Sequence, residues 1–182
     1  MWYLIKIAIF AIAGLHVFYR FRHSAFRPAK YEFYMMWGME GILLLWLISF
    51  DDWFNAAPAC QWIANVLLAM AFALIASGYF ALKKFGKPIP GHDQQFHLVT
   101  QGIYFYMRHP LYAGAILFSI SILLRSARLL TGMLCVLVIS LFIIASLQEE
   151  KENIKKFGSV YMSYKNATNG YLSIRIFSRG KN

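Results

Sequence analysis

Two adjacent acids, Glu149 and Glu150, follow closely on an apolar run that ends at Leu147. Carboxylates so close to a membrane-length segment are costly unless something uses them. A cationic group, such as an ammonium, is the partner they would fit. Glu152 has a plainer explanation, because Lys155 and Lys156 stand at helical pairing distance from it. A second cluster, Thr100 to Gly114, crowds Tyr104, Tyr106, Arg108, His109 and Tyr112 at the start of another apolar run. Pro110 suits the first turn of a helix, where its missing N–H costs nothing. It also disfavours helical geometry at His109, so the imidazole is presented from a fixed turn. Gly102 and Gly114 permit close approach of backbone. On residue types alone this cluster reads equally well as an interfacial anchor, with Arg for phosphates and Tyr for the headgroup belt.

The elements that would position these groups are membrane helices. The chain has 182 residues, 59% of them hydrophobic and 14% charged, with a mean hydropathy of +0.51. A soluble domain of this length could not hide that much apolar surface. Five runs approach the roughly 20 apolar residues that a span needs: Trp2–Tyr19, Tyr34–Phe50, Trp62–Leu82, the short Leu111–Leu124, and Leu129–Leu147. The expected fold is therefore all-α, a multi-pass bundle in one integral membrane domain over residues 1–182. Residues 1–82 hold three spans, and residues 83–182 hold two more with a polar tail. A signal peptide is disfavoured for the first run, since Trp2 and Tyr3 replace a basic start.

Loop charge sets the orientation. Arg20, Arg22, Arg27 and Lys30 follow the first run, whereas Asp51 to Gln61 contains no Lys or Arg. Lys83, Lys84, Lys87 and Arg108 follow the third run, and Lys151, Lys155, Lys156, Lys165, Arg175, Arg179 and Lys181 follow the fifth. The positive-inside rule puts the N-terminus outside and the C-terminus in the cytoplasm, as an odd number of spans requires. Trp2, Trp53 and Trp62 then fall at the outer interface. The formal charge of +10 belongs with anionic lipid headgroups. Nucleic acid is not expected, for no basic recognition helix stands apart from the spans. Cys60 and Cys135 have neither disulfide nor metal spacing, and no metal is expected. If the fourth and fifth runs form an antiparallel hairpin, Arg108, His109 and Tyr112 meet Glu149 and Glu150 at one mouth.

Read in order, Leu98-Val99-Thr100-Gln101-Gly102-Ile103-Tyr104, Arg108-His109-Pro110-Leu111-Tyr112-Ala113-Gly114, Glu149-Glu150 and Phe157-Gly158-Ser159-Val160-Tyr161 to Thr168 resemble the isoprenylcysteine carboxyl methyltransferase and phospholipid methyltransferase superfamily. The resemblance covers about Lys83 to Thr168. It implies an integral membrane methyltransferase that uses S-adenosylmethionine without a Rossmann domain, in keeping with the lack of a G-x-G-x-x-G turn. By position it implies a cytoplasmic cofactor pocket lined by Phe96, His97, Leu98, Val99 and Tyr104, with His109, Pro110, Leu111 and Tyr112 binding from the helix start. Glu149 would take the cofactor's ammonium, and Glu150 is the competing choice. Prenylcysteine-processing relatives carry an Arg about one turn before the acidic pair, where it serves the substrate carboxylate. Ala145 stands there in this chain, and Thr168 is followed by Asn169-Gly170 in place of the usual Thr-x-Arg. A different lipophilic or amphiphilic acceptor, such as an amine or thiol, is therefore at least as well supported. Two other classes remain compatible: an NADPH-dependent sterol-reductase-like membrane enzyme, and a non-catalytic membrane binding protein.

Overall fold

The computed structural model describes residues 2–23, 30–52, 56–86, 88–89 and 92–171. Each of the five apolar runs is helical: α1 (Trp2–His23), α2 (Lys30–Ser49), α3 (Pro58–Phe85), α4 (Pro110–Arg125) and α5 (Leu129–Phe157), followed by the short α6 (Ser159–Ala167). Pro58 and Pro110 occupy the first turns of α3 and α4, as proline's fixed φ favours. The helices overrun the apolar runs. α2 begins at Lys30 and not at Tyr34, and α5 continues through its polar end to Phe157, carrying Glu149 and Glu150 on a rigid extension. One feature departs from the all-α expectation. The segment after α3 forms a small antiparallel hairpin, β1 (Pro88–Ile89) with β2 (His92–Phe96), Pro88 lying opposite Phe96. Pro88 cannot prolong a helix, and α3 has already closed at Gly86, whose N–H bonds the Leu82 carbonyl at 2.7 Å.

α3 packs along α4, α2 packs along α5, and α4 meets α5. Small residues bring the backbones together, the common device of membrane helix pairs. A Cβ on Gly114 would lie 2.6 Å from Ile75 Cγ1 and 2.9 Å from the Ala71 carbonyl oxygen, and one on Gly41 would lie 2.4 Å from Val138 Cγ2. Leu45, Tyr112, Ile122, Val138, Phe142 and Ala145 form the buried core between α2, α4 and α5. The opposite faces are apolar and open: Trp62, Phe72 and Phe80 project from α3, and Leu129, Val136 and Leu137 from α5. Water would not tolerate so broad an apolar surface, whereas lipid would. α3 and α5 are each long and apolar enough to cross a membrane, while α4 is a shorter apolar helix of 16 residues, roughly 24 Å long. Of the residues used in the topology reading, Arg27, Trp53, Lys87, Arg175, Arg179 and Lys181 lie outside the described residues.

Candidate functional site

His109 caps α4 with φ −126° and ψ 57°, the non-helical geometry that the following proline imposes. Its carbonyl accepts from Ala113 N–H at 2.9 Å, starting the helix, and its own N–H donates to the Gly170 carbonyl at 3.0 Å. Arg108 N–H is shared between the Asn169 and Gly170 carbonyls, each at 3.1 Å, and Met107 pairs with Asn169 in a parallel bridge. The chain can return to this turn because Gly158, at φ 56°, breaks α5 and reverses direction into α6. That backbone conformation is open mainly to glycine. From α6, the Tyr164 hydroxyl donates to the Tyr104 carbonyl at 2.6 Å, tying the turn before α4 to the same element.

Glu150 sits at the centre. Its Oε1 accepts from Arg108 Nε at 3.0 Å and Nη2 at 2.8 Å and lies 3.1 Å from His109 Nε2, while its Oε2 lies 2.7 Å from Lys165 Nζ. Arg108 Nη1 donates to the carbonyls of Lys165 and Thr168. Burial works against the Glu150 charge, but hydrogen bonds from Lys165, His109 and Arg108, with the Arg108 charge, outweigh it and hold the carboxyl down at about 2. Burial holds the His109 imidazole below its ordinary range against the pull of Glu150, and the Arg108 and Lys165 charges act in the same sense as burial. Burial thus favours the neutral form of the ring. With Nε2–H donated to Glu150, its Nδ1 carries the lone pair.

Glu149 is differently placed. The Tyr112 hydroxyl and Asn153 favour its charge, and His109 Nδ1 stands 3.9 Å away. No Lys or Arg among the described residues pairs with it. Its side chain keeps 30% of its surface open, against 9% for Glu150. Protein packed around the remainder raises the carboxyl above its ordinary value, the Glu150 charge adding to the rise. Burial and then the Glu149 charge raise the Tyr104 phenol. The rings of Tyr112 and Tyr171 lie 5.6 and 5.7 Å from the His109 ring. The arrangement is a partly open carboxylate beside aromatic faces, suited to an organic cation.

The structure therefore gathers His109, Tyr112, Glu149 and Glu150 in one site, with Tyr104 buried in the turn before α4. Pro110 is buried, and it packs with Leu111 against α3 near Gly78. These two build the helix junction and are not seen at the acids. His97, Leu98 and Val99 line a cavity of about 440 Å³ with Lys84, Phe85, Thr100 and Gln101. Phe96 ends β2, and its side chain lies outside the described residues. The competing choice of Glu150 for a ligand ammonium meets a physical obstacle, since both of its oxygens are already engaged by the chain's own cations. Sequence reasoning missed Lys165, Asn169, Gly170 and Tyr171. A Lys in a basic tail has no periodicity to single it out. The resemblance drew attention to Phe157–Thr168 as a segment, and the altered residues after Thr168 to Asn169 and Gly170, but neither assigned them a role.

The phospholipid methyltransferase family matches residues 59–159, more than half of the chain. No curated protein and no solved structure matches it. The match takes in nearly all of α3, the turn at Arg108-His109-Pro110 and the acidic pair, while Lys165 and residues 169–171 of the site lie beyond it. The chain belongs to the phospholipid methyltransferase family.

Proposed function

We propose that this protein is an integral membrane, S-adenosylmethionine-dependent methyltransferase that acts on a lipophilic or small amphiphilic acceptor. The observation that carries the reading is the division of labour between the two acids. Glu150 is neutralised by Arg108 and Lys165, while Glu149, partly open and without a Lys or Arg partner among the described residues, is available to a ligand cation. The residues fit the cofactor's chemistry, for an amino-acid ammonium suits Glu149 and a sulfonium suits the rings of Tyr104 and Tyr112. When bound, S-adenosylmethionine supplies an electrophilic methyl group. The chain's part is to orient the reactants in line and keep water out. The cavity at His97, Leu98 and Val99 would take the uncharged end of the cofactor. An amine acceptor must lose a proton and an ionised one need not, and neutral His109 is the group available to hold it.

In this reading all five apolar helices cross the bilayer, with the site and C-terminus on the cytoplasmic side. Reporter activity on the outer side for a fusion after Asn182 would contradict that orientation. Ala145, wholly buried in the core, argues against a prenylcysteine carboxylate, which an Arg would grip with two bonds. Calorimetric titration of detergent-solubilised protein tests the cofactor. Binding of S-adenosylhomocysteine and none of NADPH is expected. The reverse would replace the reading with a sterol-reductase-like enzyme.

A further inference from the structure

We propose that Tyr171 is a positioning residue of the site: its ring packs on the His109 imidazole, and its hydroxyl, tied to Ser146, holds that ring in place. The proposal rests on the methyltransferase reading for its catalytic meaning, and on the structure alone for its geometry. Tyr171 lies beyond the family-matched span of residues 59–159. Its hydroxyl hydrogen-bonds Ser146 Oγ. Ser146 is buried on α5 one turn before Glu150 and therefore faces the same side of the helix. The Tyr171 and His109 ring centroids are 5.7 Å apart with planes inclined at 40°.

The tail does not need this side chain to stay attached. Backbone bonds from Arg108 and His109 to Asn169 and Gly170, and the Arg108 guanidinium on the Lys165 and Thr168 carbonyls, already anchor it. The tyrosine side chain therefore adds something beyond anchoring. It covers the imidazole and, together with Tyr112, limits the ring's rotation. The groups facing His109 are Glu149 and Glu150 from α5, Lys165 from α6, Tyr112 from α4, Tyr171 from the tail and its neighbour Arg108. Of these, Tyr112 and Tyr171 contribute cover without charge, and Tyr171 alone comes from the tail. Its loss uncovers the imidazole while leaving the ionic surroundings unchanged.

The test is the imidazole titration of His109 in histidine-labelled protein, assigned by loss of its signal in His109→Gln. In the wild-type protein the ring titrates below its ordinary value. Tyr171→Ala moves that titration upward as burial is lost. Tyr171→Phe, which keeps the ring, moves it less, and Ser146→Ala behaves like Tyr171→Phe. Thermal unfolding alongside checks that the tail stays docked. Tyr171→Ala should also bind S-adenosylhomocysteine roughly tenfold more weakly, the scale of one lost buried interaction. An unchanged His109 titration in Tyr171→Ala overturns the proposal. Failure of the wild-type protein to bind S-adenosylhomocysteine would count against the methyltransferase reading, and the imidazole titration, which needs no cofactor, still decides the role of Tyr171.

Discussion

Replacing Glu150 by Gln leaves the largely buried Arg108 and the part-exposed Lys165 facing one another across a neutral amide. Breaking such an arrangement by removing one partner costs about 3–5 kcal/mol, so Glu150→Gln should melt well below the wild-type protein in detergent. The same carboxylate makes stability acid-sensitive. Its pKa falls from 4.5 to about 2 on folding, so its contribution is complete above pH 4.5 and is lost as pH falls towards 2. The melting temperature of Glu150→Gln should fall less steeply over that window. Glu149→Gln should do the opposite, leaving stability nearly intact and weakening S-adenosylhomocysteine binding. Truncating one member of a desolvated charge pair costs about 2–5 kcal/mol, roughly 30-fold or more in affinity. Glu152→Gln is the control, since its pair with Lys155 is an exposed 3.3 Å contact worth below about 1 kcal/mol. Equal binding by Glu149→Gln and Glu152→Gln in calorimetry would remove Glu149 from the site.

At the scale of elements, the bundle depends on helices that approach where side chains are absent. Gly41→Val would force a branched side chain into Val138, itself stiff and buried, at a cost of about 1–3 kcal/mol. Gly14→Ala meets nothing within 4 Å and should leave thermal unfolding unchanged. Parity between the two variants would show that α2 and α5 do not pack as described. The helices themselves were legible in the sequence because long apolar runs carry their own signal. Their ends were less so: the polar extension of α5 past Leu147 has no hydropathy to mark it, though it is what carries the acids. The hairpin at Pro88–Phe96 was invisible for a related reason, being too short and too polar for any alternation to show. His109 was legible because Pro110 constrains its backbone locally. The carbonyl that takes its N–H, at Gly170, comes from far along the chain, and only the fold reveals it.

At the scale of the whole molecule, one end of α4 and α5 gathers Arg108, His109, Glu149, Glu150 and Lys165, while α3 and α5 present apolar faces outward. On the proposed function, charged groups at one end of an apolar-faced bundle suit a polar methyl donor and a lipophilic acceptor, each reaching the reaction from its own phase. The most direct test of this account is methyl transfer itself. The purified protein is reconstituted with total membrane lipid and supplied with S-adenosylmethionine labelled in its methyl group, with Glu149→Gln run in parallel. Label moving into an organic-extractable product, at a rate far above that of the variant, is the predicted result. S-adenosylhomocysteine formation no faster than with Glu149→Gln, and no label in any extract, would contradict it.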